Sequence, residues 1–289
     1  MRAYAYSKLT LSLVVCLGIL MLCGSQPVLI GQTSPWKEAE EGLLVAEFDP
    51  PHRPANPSST VTIIKIDPGK YSFRLLCASE YGKEKLTAKE WTERYELIGA
   101  FNAGMFQEDG LTSVGYMKNF KHFNNPRLGK ANTILAFNPI EDGVPEVQII
   151  DRQCQDFSAL KDKYQTFIQS IRMISCEGEN VWAQQNSRWS TLAIGTDSAG
   201  NVLLIFSRMP YSVHDFIEIL LSLPLSLKSA MYLEGGPQAS LYLSTPKVSL
   251  ERNGVWEGFE ENNAFQFALP VPNVIGITRK AKIQTRDLS

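Results

Sequence analysis

NVLLIFSRMPYSVHDFIEILLSLP, residues 201–224, carries the two signals on which the fold turns. Val202 to Ser207 is an uncharged run of branched and aromatic residues, the composition of a strand buried on both faces. Ser212 then stands where a helix N-cap belongs, Asp215 adds an acid to the first turn, and Pro224 ends the segment, so residues 212–223 are expected as a helix. Outward from this strand and helix, the same β-type composition recurs at 61–66, 71–76, 97–101, 133–137, 147–150, 192–196, 231–233 and 274–278. The turn Asp67-Pro68-Gly69-Lys70 between the first two suggests a hairpin-like opening. Thr87 and Glu90 have the spacing of a capping box, which predicts a helix over 87–95. Strands outnumber helices, and no internal repeat is present. The expected class is α+β, with a large mixed or mainly antiparallel β-sheet and a few helices packed against it.

The ends of the chain read differently. Arg2 and Lys8 precede an apolar run from Leu9 to Cys23 and small or polar residues at Gly24 and Ser25, the pattern of a signal peptide over residues 1–25. The run is shorter than the ~20 residues that span a bilayer, although an uncleaved anchor is the alternative. Bulky Leu22 disfavours lipid attachment at Cys23. Residues 26–60, with Pro50, Pro51, Pro54 and Pro57, are expected as an extended Pro-rich lead-in without a packed core, and residues 61–289 as the domain proper. Export would make the protein periplasmic or secreted, touching a membrane only through its export signal.

Composition excludes several functions. With 44% hydrophobic and 20% charged residues the chain can bury a sizeable core. Without Arg2 and Lys8 it keeps 26 basic against 30 acidic residues, a formal charge of −4 with no basic run, which disfavours nucleic acid as a partner. No CxxC or HExxH is present and His52, His122 and His214 are dispersed, so no structural zinc and no cofactor are expected; a lone Ca²⁺ on oxygen ligands stays open. Beyond the leader stand Cys77, Cys154 and Cys176, an odd number; a Cys154–Cys176 bridge and three buried thiols are both open.

Chemistry is expected where polar and glycine residues interrupt strand signals. In 100–106, Asn102 stands at a strand end with an amide suited to a sugar hydroxyl, and Gly104 permits close backbone approach. In 201–214, Ser207, Arg208 and His214 flank a helix N-terminus that favours an anion. In 231–242, Glu234 ends an apolar strand and is followed by Gly235 and Gly236, whose amides are expected to form an anion nest, then by Pro237, Gln238 and Ser240. A half-buried carboxylate costs several kcal/mol unless paired, so Glu234 is either functional or held by an arginine.

FNAGMF (101–106), SRMPYSVHDF (207–216) and YLEGGPQASLYL (232–243), in this order and spacing, resemble the phosphodiester glycosidase family over roughly residues 61–277. IQSIR (168–172) and RWSTLAIG (188–195) support the likeness. Many relatives carry Asp-Gly-Gly and two serines where this chain has Glu234-Gly235-Gly236-Pro237-Gln238-Ala239-Ser240, so its carboxylate extends one methylene farther.

The resemblance implies hydrolysis between a sugar's anomeric carbon and a phosphate, with a carbohydrate phosphodiester as partner. Because a phosphate monoester leaves as a stable anion, a cationic cradle matters more than a strong acid. The expected catalytic set is Glu234 as acid or base, Asn102 on the sugar and Arg208 on the phosphate. Gly104, Gln169, Arg172, Arg188, Ser207, His214, Gly235, Gly236, Gln238 and Ser240 are the expected substrate-binding residues. Glu108 or Asp109 is the candidate second carboxylate, and Trp189 and Tyr211 are candidate sugar-stacking rings. The alternatives are a non-catalytic carbohydrate or cell-envelope binding module and a metal-dependent phosphodiesterase that breaks the phosphorus–oxygen bond.

Overall fold

A computed structural model describes residues 34–51, 59–258 and 267–281. The leader over 1–25 and three of the lead-in's histidine and proline positions, His52, Pro54 and Pro57, lie outside the described residues. In chain order the elements are β1 (Lys37–Glu40), β2 (Leu43–Phe48), β3 (Val61–Ile66), β4 (Tyr71–Cys77), α1 (Ala88–Arg94), β5 (Gly99–Asn102), β6 (Met117–Asn119) and β7 (His122–Asn125). There follow β8 (Thr133–Pro139), β9 (Val147–Asp151), α2 (Phe157–Leu160), β10 (Tyr164–Ser170), β11 (Arg172–Ile174), β12 (Trp189–Asp197) and β13 (Val202–Tyr211). The last are α3 (Val213–Ser222), β14 (Leu227–Gly235), β15 (Ser240–Ser244), β16 (Ser249–Asn253) and β17 (Asn273–Arg279).

The α+β class holds, with the strands divided among three antiparallel sheets: β1-β2-β3-β13-β12-β14-β11, β7-β6-β10-β8-β9 and β16-β15-β5-β17-β4. Their inner faces share one core. Ile64, Leu192, Leu204, Phe206 and Leu233 of the first sheet meet Leu135, Phe137 and Ile168 of the second and Phe73, Phe101 and Ile275 of the third. Each outer face is covered by one helix. Val213, Phe216, Ile217 and Leu220 of α3 pack on Ile63, Ala193, Leu203 and Ile205. Trp91 of α1 covers Leu76, Ala100 and Val274, and Phe157 and Leu160 of α2 lie against Ile134 and Phe167. Alternate residues of β13 therefore enter two different cores, which is why 202–206 is continuously apolar.

Both helix signals are realised. Thr87 and Glu90 form a reciprocal capping box at α1, and the Ser212 hydroxyl accepts from the Asp215 amide at the start of α3.

Two expectations are corrected. The lead-in joins the fold: β1 and β2 extend the seven-stranded sheet, with Leu43 fully buried, so the compact unit begins at Ser34 and not near Val61. Alternation in LLVAEF drives this, because Leu43 and Val45 enter the shared core while Ala46 and Phe48 enter the one beneath α3. The hairpin-like opening does not form either. β3 pairs with β2 and β13, whereas β4 crosses to the third sheet and pairs with β17. The Asp67-Pro68-Gly69-Lys70 turn is real, but its Asp67 amide donates to the Gly42 carbonyl and the chain changes sheets through it.

Cys154 and Cys176 are bonded across a separation of 22 residues, while Cys77 is a free, buried thiol whose pKa burial raises. Among the described residues the metal-sized His/Cys/Asp/Glu cluster is Asp151 with these two bonded cysteines, whose sulfurs are thereby spent.

Candidate active site

The end of the seven-stranded sheet where β13 and β14 flank the start of β12 is irregular on both sides. Along β14, Tyr232 faces Ala193 and Glu234 faces Leu192, so Leu233 is an extra residue and Glu234 follows a bulge. Along β13, Ser207 faces Thr191 and Tyr211 faces Trp189, so two extra residues are inserted after Ser207, and Arg208 begins that insertion. Bulges re-aim side chains, and here they do so for the carboxylate and the arginine together. Thr191 pairs with Gly235 on one side and Ser207 on the other, which places the two bulged strands two inter-strand spacings, roughly 10 Å, apart.

Glu234 is 8% exposed. Its Oε1 accepts from the Gly235 amide at 3.0 Å and its Oε2 from Asn102 Nδ2 at 3.4 Å. Among the described residues no cation pairs with it. Burial therefore dominates, raising its pKa to about 7 against the smaller opposing pull of the Gly235 and Asn102 hydrogen bonds. Tyr232 lies beside the same carboxylate, and burial followed by the Glu234 charge raises its phenol pKa.

Asn102 is fully buried and already committed. Its Nδ2 also donates to the Gln238 carbonyl at 2.9 Å, and its Oδ1 accepts from the Gly104 amide at 2.9 Å. Asn102 thus ties the end of β5 to the 236–238 turn and to Glu234 on β14, and its amide is occupied within the protein. Gly104, at φ +143°, supplies a backbone conformation open to glycine, and Gln238 contributes its carbonyl.

Arg208 is half-buried. Its Nη1 donates to the Asn253 carbonyl at 2.7 Å, while Nη2 is buried without a partner among the described residues. Burial lowers the guanidinium's pKa, and no described carboxylate offsets it. Among the described residues Thr191 Oγ1 and Ser240 Oγ, on neighbouring strands, are also buried without a partner. Ser240 pairs with Asn253, the residue that Arg208 grips, and Thr191 pairs with Gly235. Buried polar groups are normally satisfied, so a guanidinium nitrogen and two hydroxyls without described partners on the strands around this sheet end are its unexplained polar atoms.

Other expected binders are held elsewhere. Gln169 is spent clamping the 116–131 segment: its Oε1 accepts from the Tyr116 and Gly129 amides at 3.0 and 2.7 Å, and its Nε2 donates to the Gly129 and Ala131 carbonyls. Arg172 pairs with Asp151 at 2.9 Å. A His214 ring nitrogen lies 2.6 Å from the Trp182 carbonyl, anchoring the 180–185 segment on α3. The Ser207 hydroxyl donates to the Met209 carbonyl within its own bulge. Arg188 is exposed immediately before Trp189.

The anion nest is corrected as well. Gly235 is extended at φ −133° and its amide serves Glu234, so the pair does not present two free N–H groups; only Gly236, at φ +63°, takes the left-handed conformation. Asp109 closes its own turn, accepting from Leu111, from Thr112 and from the Thr112 hydroxyl, which lowers its pKa, and Glu108 is exposed. Tyr211 stacks on Phe216 with rings 6.1 Å apart and 10° from parallel, so it packs inside the protein.

Trp256 was not anticipated. It is 51% exposed and lies against Gly236, and its backbone bridges to that of Trp189. The readable signal was an aromatic between Gly254 and Gly258; for Thr191 it was the hydroxyl pair Ser190-Thr191 at the start of an apolar strand.

Three antiparallel sheets around a common core, with Glu234 buried beside a bulge at the end of one of them, define a β-rich protein of the α+β class. Residues 95–278 match the phosphodiester glycosidase family, and the chain belongs to it. Among solved structures it is similar to the catalytic domain of zebrafish N-acetylglucosamine-1-phosphodiester alpha-N-acetylglucosaminidase auto-inhibited by its pro-peptide, with a TM-score of 0.57 and 11% identity over 86% of this chain and 85% of that one. A hypothetical protein from Synechocystis gives a TM-score of 0.57 and 15% identity over 86% of this chain and 64% of that one. No curated relative matches the chain in sequence. At these identities the structural likeness speaks for the fold.

Proposed function

We propose that this phosphodiester glycosidase family member is an exported hydrolase that cleaves the bond between the anomeric carbon and the phosphate of a sugar-1-phosphodiester. The observation that carries the reading is Glu234: a buried carboxylate with a pKa of about 7, unpaired by any described cation, on a strand roughly 10 Å from the one that carries a guanidinium with an open donor. Such a group exchanges a proton near neutrality, as a general base must. In its ionised form Glu234 takes a proton from water, the water oxygen bonds to the anomeric carbon, and the carbon–oxygen bond to phosphate breaks with its electron pair leaving on the phosphate monoester. Arg208 Nη2, with the Thr191 and Ser240 hydroxyls, receives the phosphate oxygens. The leaving group needs little protonation, consistent with a site offering one well-placed carboxylate.

The test is incubation with a panel of sugar-1-phosphodiesters in ¹⁸O-labelled water, read by mass spectrometry. Heavy oxygen is expected in the released sugar and none in the phosphate monoester. Label in the phosphate instead would identify phosphorus–oxygen cleavage, and a panel recovered intact would identify a binding module; either outcome rejects the proposal.

Asn102 gives a finer check. Asn102→Asp places a second carboxylate where an amide now approaches Glu234 to 3.4 Å, and like charges at that range raise a carboxyl pKa further. The acid limb of the kcat/KM profile is expected to move upward by about one unit or more. An unmoved limb would mean that another group controls it.

A further inference from the structure

Trp256 leaves 51% of its surface exposed, yet the segment that carries it is fastened firmly. The Gly254 amide donates to the Ala239 carbonyl at 2.8 Å, the Val255 amide to Ser190 Oγ at 2.7 Å, and Arg208 Nη1 to the Asn253 carbonyl at 2.7 Å. Two glycines permit the close approach. A Cβ on Gly254 would sit 2.1 Å from the Gly236 carbonyl oxygen, and a Cβ on Gly236 would sit 2.7 Å from Trp256 Cζ3. The half-buried Trp189 indole lies alongside, its Nε1 2.6 Å from where a Gly235 Cβ would be. Single exposed apolar side chains are ordinary on protein surfaces. An indole pinned by three hydrogen bonds of its own segment, over the turn two residues from Glu234, is a different case: its position is specified while its outer surface stays wet.

The geometry points to Trp256 as the platform that stacks on the C–H face of the substrate's pyranose ring, a specificity-determining residue for the sugar half of the ligand. This rests on the hydrolase reading above for the identity of the site. An indole presents a broad, rigid apolar surface, and a pyranose with its ring C–H bonds on one face is the polar molecule that can cover it without losing hydration of its hydroxyls. Because Arg208 holds both the Asn253 carbonyl and an open donor, the sugar platform and the phosphate hook share one support.

The test uses the full-length chain with Trp256→Ala and Trp256→Phe and two probes, the methyl phosphodiester of glucose 1-phosphate and dimethyl phosphate, which carries the same charge without a ring. For Trp256→Ala, KM and the calorimetric Kd for the sugar probe are expected to rise about tenfold with kcat nearly unchanged, and Trp256→Phe should recover part of that loss. Affinity for dimethyl phosphate should not move. Equal losses on both probes, no loss on either, or a wild-type protein that binds the sugar probe no tighter than dimethyl phosphate would overturn the assignment. Sugar-selective binding that depends on Trp256, without any turnover, would retain the platform and reject the hydrolase; turnover of the sugar probe by Trp256→Ala with wild-type KM and kcat would do the reverse. Unchanged urea midpoints confirm that each variant is folded.

Discussion

Glu234→Gln is expected to lower kcat by about 10²- to 10⁴-fold with little change in KM, and at the same time to make the protein more stable above neutrality. The activity loss follows from removing a buried carboxylate able to exchange a proton near pH 7. For the wild type, kcat/KM should rise as pH increases through about 7, because the base must be ionised. The stability gain comes from the same cause with the opposite sign. Below an unfolded-state pKa of about 4.5 the carboxyl is neutral in both states; above it the unfolded chain releases its proton while the folded chain keeps it until about pH 7. The wild type therefore loses stability between those values, on the order of 3 kcal/mol, as the buried site resists the charge. Glutamine carries no such penalty. The variant should melt roughly 5 to 10 °C above wild type at pH 8, with the difference vanishing near pH 4.5. Thermal melts across that range, beside turnover assays, separate the outcomes: full activity in the variant removes Glu234 from the chemistry, and a pH-independent difference in melting removes the buried-charge explanation.

The trade of stability for chemistry explains what could be read ahead of the structure. Glu234 was legible because a carboxylate ending an apolar strand before two glycines contradicts its surroundings, and such local contradictions tend to mark function. The strand and helix of 201–224 and the capping box at Thr87 and Glu90 were legible because their causes are local. Other features depend on partners that no window of sequence contains. Gln169 looked like a ligand group, but the 116–131 segment consumes all of its hydrogen-bonding capacity from 38 to 53 residues away. Arg172 is neutralised by Asp151 and His214 is tied to Trp182. The β3–β4 hairpin failed for the same reason: each strand found better-matched apolar partners in a different sheet. Both bulges are non-local as well, since an extra residue exists only relative to the strand opposite it.

Arg208→Met should be the second large effect, and it tests the anion-binding half of the site independently of the proton chemistry. The half-buried guanidinium has one nitrogen bonded to Asn253 and one open, and burial already works against its charge. An anion that completes those bonds therefore stabilises the protein as well as binding to it. Saturating dimethyl phosphate, which has no anomeric bond to cleave, at about a hundred times its Kd, is expected to stabilise the wild type by roughly 2.7 kcal/mol in urea unfolding. Arg208→Met removes the charge, and the variant should lose most of that ligand-induced shift. It should also lose about 10²- to 10³-fold in kcat/KM, the range seen when one preorganised donor to a developing anion is deleted. Unliganded, the variant trades an uncompensated charge for an Asn253 carbonyl without its donor; the latter costs about 1–3 kcal/mol, so its own stability should change little or fall modestly. Arg208→Lys keeps the charge but has a single ammonium where the fork reaches two acceptors, so it should retain either the Asn253 bond or the phosphate contact and fall between the other two proteins. If Arg208→Met kept wild-type kcat/KM and the full ligand-induced shift, the open guanidinium nitrogen would be a packing accident and the phosphate would have to be held elsewhere.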